Sequence, residues 1–388
     1  MSLLGWPAGV LAASPELQGV TPRGAQRGTE ADLVFTGSRL ADARDVLFYE
    51  PGITVTKVES SDAQHAKVHV RIDKDARIGI YPMRIRTATG LSELRTFCVT
   101  PYPVVEEKEP NNDLGTAQSV ELNTTVTGTI QNEDVDTFAI EAIKGQRITA
   151  EVIGIRLGDA MFDPYVAILD SKRFAIAESD DTALARQDPI ASAIIPADGK
   201  YYVQVRDTSY SGGGNFHYLL SIGTFPRPTT VYPLGGKPGE ELSLKFIGDV
   251  AGEFTQTIKL PSEPADEWEV FAEKDGLLPP SPNFLRISNL PNVLEQSPNQ
   301  DPAHATAYTG ELPVSLNGII SKPGEIDYFR FKAHKGMVVD VRVLARALRS
   351  PLDSVIFLLN EKGQQLTAND DSGGPDSYFR FTAPEDGP

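Results

Sequence analysis

Two short runs in this chain carry oxygen ligands close together. Glu107, Glu109, Asn111 and Asn112 sit in Glu107-Lys-Glu-Pro-Asn-Asn112, and Asp134 and Asp136 sit in Asp134-Val-Asp136. The chemistry such a set could do is coordination of a hard cation. Calcium takes about six to eight oxygen ligands, and a strand start plus a strand-entry loop can supply them from two directions. Pro-Asn-Asn and Asn-Glu-Asp are also turn sequences whose side chains bond their own backbone. A second row, Glu295-Gln-Ser-Pro-Asn-Gln300, departs from the first. Ser297 stands for Glu109, Gln300 for Asn112, and Glu325 and Asp327 for the Asp pair. Calcium is therefore expected at the first set and not at the second.

A second candidate set for an ion is Asp163, Asp180, Asp181 and Asp188. It recurs in order as Asp353, Asp370, Asp371 and Asp376, with Pro196 and Pro384 following. Adjacent carboxylates repel unless a cation or hydrogen-bond donors offset them. A repeated turn that favours Asp for backbone reasons explains the same pattern. Both readings stand at this level.

Catalytic chemistry finds little support. The histidines His65, His69, His217, His304 and His334 form no His-Glu-x-x-His pair, and no Gly-x-Ser-x-Gly elbow is present. Each is expected to face solvent. Gly212-Gly-Gly214 lacks the Lys-Ser/Thr of a phosphate loop and reads as a hairpin tip between Tyr202–Arg206 and Phe216–Ile222. Paired acids are so common that none is singled out as a glycosidase pair. One cysteine, Cys98, excludes an internal disulfide or a thiolate metal site and is expected buried on a strand.

The elements that must position these residues are strands. Val68, Val70 and Ile72 alternate with polar neighbours, as do Ile148, Ala150 and Val152, then Leu242, Leu244 and Phe246, then Val339, Val341 and Val343. Period two with one polar face implies antiparallel sheets wet on one side, packed as two-layer sandwiches. The best helical stretch, Leu344–Arg349, spans under two turns. The chain has 388 residues, 40% of them hydrophobic, enough for several cores, and 33 Gly with 29 Pro suit many short strands. A net charge of −17 opposes nucleic acid and anionic membrane. No stretch reaches transmembrane length.

The chain also repeats itself in the order A-B-A′-B′. Val20-Thr-Pro-Arg-Gly-Ala-Gln-Arg-Gly28 recurs as Val231-Tyr-Pro-Leu-Gly-Gly-Lys-Pro-Gly239, with Gly37 and Gly248 at matching distances. The A module resembles the immunoglobulin-like TIG (IPT) family through Gly19-Val-Thr-Pro22, Arg27-Gly-Thr29, Leu33-Val-Phe-Thr-Gly37, Gly79-Ile-Tyr81 and Thr96-Phe97. Its second copy lacks the Gly79-Ile-Tyr81 element. The B module resembles the bacterial pre-peptidase C-terminal domain over about 104–224. Glu107-Lys-Glu-Pro-Asn-Asn112, Gly128-Thr-Ile130, Asp134-Val-Asp136, Phe138 and Pro196-Ala-Asp-Gly-Lys-Tyr-Tyr-Val-Gln-Val205 carry that likeness. The second B copy keeps Gly318-Ile-Ile320, Asp327-Tyr-Phe329, Asp370-Asp371 and Pro384-Glu-Asp-Gly387. The resemblance implies jelly-roll-like sandwiches on secreted proteins, often peptidases. It implies calcium at the acidic positions of the two first-copy motifs, and in collagenases related domains bind collagen. The alternating order is similar to that of large secreted proteins of planctomycete-type bacteria.

The expected organisation is all-β: 1–19 as a signal-peptide remnant or disordered start, 20–103 TIG-like, 104–226 pre-peptidase-like, 227–290 a degenerate Ig-like module, and 291–388 a second pre-peptidase-like module. Met1–Ser14 has secretory character, with Val10-Leu-Ala12 suiting cleavage. Pro-rich joints at 101–110, 225–228 and 278–300 divide the modules. The second B copy stops at Gly387-Pro388, the point aligned with Gly199 of the first. It is expected to expose Phe379, Phe381 and the Phe329/Phe331 face. The function expected is binding or spacing by a non-catalytic, secreted or cell-surface protein, with calcium as its cofactor. An extracellular protein or polysaccharide is the partner class. Rival readings are an accessory region of a secreted peptidase and a carbohydrate-binding module. Tyr201, Tyr202, Tyr210, Phe216 and Tyr218 are the aromatic cluster for the last, about half of it buried by alternation.

Overall fold

Alternating apolar side chains, not helical stripes, build this molecule. The computed structural model describes residues 14–372 and 374–388, and these form an all-β protein. Most of the stretch read as secretory, including Val10–Ala12, lies outside the described residues. The chain divides into two compact units: residues up to 180 with 188–224, and 181–187 with 225–388.

In the first unit, eight strands make a sandwich of four on four: β1 (Glu16–Thr21), β2 (Gly24–Gln26), β3 (Glu30–Ser38), β4 (Ala43–Phe48), β5 (Ile53–Ser61), β6 (His65–Ile72), β7 (Gly79–Thr87) and β8 (Arg95–Thr100). The sheet orders are β1-β3-β6-β5 and β2-β8-β7-β4. Val68, Val70 and Ile72 meet Leu33, Phe35, Tyr81, Met83 and Phe97 in one buried cluster. Cys98 turns the other way. It is buried against Ile153, Leu157 and Leu219 of the next sandwich, and burial pushes its thiol up to about 12. Gly24 lets the backbones close there, because a Cβ would stand 2.8 Å from the Cys98 carbonyl oxygen.

The next sandwich has ten strands: β9 (Val104–Glu106), β10 (Gln118–Ser119), β11 (Thr124–Thr129), β12 (Asp136–Ala142), β13 (Arg147–Ile153), β14 (Pro164–Leu169), β15 (Ala175–Ser179), β16 (Ile190–Ile194), β17 (Gly199–Asp207) and β18 (His217–Gly223). They form two five-stranded sheets, β10-β12-β17-β14-β15 and β16-β13-β18-β11-β9. No sheet runs from β8 into β9, so residues 101–103 leave one sheet and enter another. Two expectations fail here. β13 is not wet on one side: Arg147, Thr149, Glu151 and Ile153 are buried along with Ile148, Ala150 and Val152. Its outward face is covered, with Ile153 packed beside Cys98, Thr149 accepting from the Ser192 hydroxyl, and Glu151 paired with Arg156. And β17 and β18 are not a hairpin. They lie in opposite sheets, so residues 208–216 arch from one layer to the other. Gly212 is required in that arch, since a Cβ would overlap the Gln131 carbonyl.

In the second unit, β19 (Thr230–Tyr232), β20 (Gly235–Gly236), β21 (Glu241–Ile247), β22 (Phe254–Lys259), β23 (Ala265–Val270) and β24 (Asn283–Ile287) form two three-stranded sheets. The orders are β19-β21-β22 and β20-β24-β23. β20 runs parallel to β24 as β2 does to β8, and Val231, Leu244, Phe246 and Leu285 fill the core. The remaining strands are β25 (Asn292–Leu294), β26 (Thr306–Ala307), β27 (Ser315–Asn317), β28 (Phe329–Arg330), β29 (Val338–Arg342), β30 (Ile356–Leu359), β31 (Gln365–Asn369) and β32 (Tyr378–Thr382). They pair only two by two. Phe379 is buried, against expectation, while Phe329, Phe331 and Phe381 are half-buried.

Candidate functional site

The Glu107–Asn112 run leaves β9 and crosses the start of β12, and the Gln131–Asp136 loop delivers β12. Glu107 is anchored by its backbone to Thr127, and its Oε1 accepts from the Thr129 amide at 2.7 Å. Its Oε2 accepts from the Tyr218 hydroxyl at 3.0 Å, which also donates to Asp136 Oδ2 at 2.6 Å. Asp134 receives the Gln131 amide at 3.0 Å and the Asn112 side-chain amide at 2.6 Å. Glu109 accepts the Asn111 amide at 2.8 Å. Carboxylate oxygens of Glu109, Asp134 and Asp136 lie within 4.8 Å of one another.

Beside its turn hydrogen bonds, this cluster holds unspent polar capacity. Asn111 is fully buried, with neither side-chain atom bonded, and Asp136 Oδ1 is buried and unbonded too. A buried polar atom without a partner is costly. Asp136 belongs to the acid cluster, where a cation would satisfy its free oxygen and the acids together. Burial and then the Glu107 charge push Asp136 up to about 9. Burial raises Glu107 as well and lifts Tyr218 well above the ordinary phenol range. Glu109, Asp134 and Asp136 thus fit a hard cation in donor type and placement, and Asn111 and Glu107 in donor type.

Two members of the site escaped the sequence reading. Tyr218 comes from β18, far along the chain, and in the sequence figures only in the aromatic cluster of the carbohydrate-binding reading. Gly128 makes room: a Cβ there would overlap both Glu107 Oε2 and the Tyr218 ring. The arch holding Gly212 braces the Asp134 loop, through Gly213 amide to Ile130 carbonyl at 2.9 Å and Glu133 amide to Tyr210 carbonyl at 2.9 Å.

The second copy keeps the frame with other donors. Glu295 accepts the Ile319 amide at 3.1 Å, and Gly318 again sits against Glu295 and Asp327. The Gln300 amide reaches toward Glu325 and Asp327 at 3.5 and 3.4 Å. Ser297 supplies no carboxylate.

The repeated Asp set separates into different tasks. Asp188 is buried and accepts from the amides of Gly154, Ile155 and Arg156, starting the 3-10 turn Ile155–Leu157. Asp376 does the same for Ala345, Arg346 and Ala347 at Arg346–Leu348. Asp163 Oδ2 accepts the Thr208 hydroxyl at 2.6 Å. Asp180, Asp181, Asp353, Asp370 and Asp371 are exposed. His217 departs from the solvent-facing expectation: half-buried beside Asp159 at 3.2 Å, it is pushed down to about 4 by burial and by Arg23. Of the aromatic cluster, Tyr201 and Tyr218 are buried, and the Arg206 guanidinium lies over the rings of both Tyr210 and Tyr165.

No protein-family model matches the chain. A 91-residue stretch is 35% identical to part of a Deinococcus radiodurans protein described as a probable subtilase-type serine protease. The match covers 23% of this chain and 12% of that protein, so this chain spans a small part of its curated relative. Among solved structures, the pre-peptidase C-terminal domain of a Bacillus anthracis collagenase matches at 18% identity, over 30% of this chain and 99% of its own, with a TM-score of 0.23. A Bacteroides ovatus protein of a mixed-linkage glucan utilization locus, in complex with a mixed-linkage heptasaccharide, matches at 13% identity over 47% of this chain and 71% of its own, with a TM-score of 0.18.

Proposed function

We propose that this chain is a non-catalytic binding and spacing segment of an exported protein, whose 104–226 sandwich is stabilised by calcium. The observation that carries the calcium reading is the group Glu109, Asp134 and Asp136 gathered beside buried, unbonded atoms of Asn111 and Asp136. Glu107, Glu109, Asn111, Asn112, Asp134 and Asp136 would hold the ion. Its charge would offset the repulsion between Glu107 and Asp136, and fix the β9 exit to the β12 entry. The ion would do structural work only. The partners proposed for the spacer are an extracellular protein or a polysaccharide.

A second reading, an accessory region of a secreted peptidase, is favoured by the 91-residue match to the subtilase-type protein. Calcium titration calorimetry on the full chain tests the first reading. Uptake of one ion at roughly 10⁻⁴–10⁻³ M, the range of extracellular modules, is expected. Absence of heat in the parent, or equal uptake by Glu109→Gln, returns these acids to turn chemistry.

A further inference from the structure

The first two sandwiches border a polar cavity of about 480 Å³. Thr21 of β1, Thr36 of β3 and Arg95 at the start of β8 line one side, and Asp159, Asn215 and His217 of the next sandwich line the other. A seam holds these walls in place. The Thr96 hydroxyl donates to the Leu157 carbonyl at 2.5 Å, and Arg23 crosses to pair with Asp159. His217 Nδ1 lies 3.2 Å from the same Asp159 oxygen.

The charges around the cavity do not balance. Arg23 is 2% exposed, yet its Nε has no hydrogen-bond partner, and the Arg95 Nε is likewise buried and unbonded. Against these two guanidiniums stands one carboxylate on the wall, Asp159, itself buried at the side chain. Burial and the Arg95 charge lower Arg23 to about 10. Burial and Arg23, opposed by Glu107, bring His217 down to about 4, so its ring is neutral at pH 7. A chain of net charge −17 thus gathers positive charge here, and away from water such an excess attracts an anion strongly.

The rest of the wall suits hydroxyl groups. Thr21 and Thr36 bring hydroxyls, Asn215 an amide and His217 a neutral imidazole, and each can both donate and accept. Among the described residues, Val20 is the aliphatic side chain on this wall. The volume is that of a small-molecule site, about 300–1,000 Å³, without the apolar lining usual there. A polar, hydroxyl-rich ligand matches such a surface.

We propose that this cavity binds an acidic sugar, a ring with one carboxylate held at Arg95 and hydroxyls shared among Thr21, Thr36, Asn215 and His217. A single carboxylate meets the excess of two guanidiniums over one acid. The proposal rests on the binding reading above, whose polysaccharide partner it narrows to the acidic class, and it is independent of calcium.

Calorimetry of the full chain with digalacturonate tests it, in chelator so that calcium cannot bridge the two. Saturable binding is expected, and the neutral counterpart digalactose should bind at least about tenfold more weakly, as should digalacturonate to Arg95→Gln, the scale of one lost charged contact. Gly19→Leu should block the site sterically, because a Cβ at this lining position meets only the Thr36 hydroxyl, at 3.6 Å. In the unmodified chain, ring NMR should show His217 rising in pKa as the carboxylate binds, a readout that needs no variant to fold. Equal binding of digalactose overturns the proposal, and so does acetate or inorganic phosphate binding as tightly as digalacturonate. Digalacturonate binding that survives both Arg95→Gln and Gly19→Leu overturns this site and leaves the binding reading standing. Absence of heat with digalacturonate overturns the site as well, and an array of neutral glycans then shows whether the binding reading falls with it.

Discussion

Asp136 has one oxygen on the Tyr218 hydroxyl and one without a partner, so its charge state decides what the site can hold. Its folded-state value of about 9 lies above the ordinary 3.8. For a raised group, the stabilising contribution is complete below the unfolded value and is lost as pH climbs through the folded one. Calcium-free protein should therefore lose stability in the first sandwich between about pH 4 and pH 9, Glu107 shifting in the same sense. Calcium favours the ionised carboxylates and should flatten that slope, releasing protons as it binds. Melting curves in chelator and in calcium across this range, with calorimetry in buffers of different ionisation enthalpy, measure both. A chelated protein that gains stability as pH rises contradicts the assignment. Tyr218→Phe should cost about 1–3 kcal/mol, the usual cost of leaving a buried acceptor unmet, and chemical denaturation reads it. The acids of this site were legible in the sequence because they lie in two short runs. Tyr218 was not, because only the fold brings β18 across β12, and Gly128 was legible as a motif but not as the space it leaves.

At the scale of the element, the repeated acids at positions 188 and 376 offer a controlled comparison. Both carboxylates start a 3-10 turn, but Asp188 also pairs with Arg156 at 2.5 Å, whose place in the second copy is taken by Ala347. Asp376→Ala should then cost what a lost cap costs, about 0.5–2 kcal/mol. Asp188→Ala also strands the Arg156 charge, of which 16% is exposed, and should approach the roughly 3–5 kcal/mol of a broken buried pair. Denaturant midpoints for the two variants decide it, and equal costs would mean that Arg156 finds compensation from Glu151 alone. Strand positions were legible here because period two survives in both copies. The side on which a sheet is wet was not: β13 carries Thr149 and Glu151 outward, yet both are buried. Alternation reports the packing of a sheet on its own partner layer and is silent about what covers its back. The Gly212–Gly214 run misled for a related reason, since a hairpin tip and an arch between layers use the same residues.

At the scale of the whole molecule, the chain divides into two compact units. The first holds sheets of four, four, five and five strands, whereas the second holds none wider than three. Buried apolar area scales with that width and supplies most of the folding free energy. The chain should therefore melt in two transitions, the lower one belonging to residues 225–388. Calcium should move only the upper one, since Ser297 and Gln300 replace donors in the second copy. Ligand at about 100 times its dissociation constant adds about 2.7 kcal/mol, which is roughly 5–10 °C for a unit of this size. Scanning calorimetry with calcium, with magnesium and with chelator makes the comparison. Magnesium should shift the upper transition less, because it demands a tighter octahedral shell than these loop carboxylates present. Asp136→Asn should hold the upper transition at its chelated position in every condition while leaving the lower one where it was. A calcium shift in the lower transition would instead place the ion among Glu295, Glu325 and Asp327.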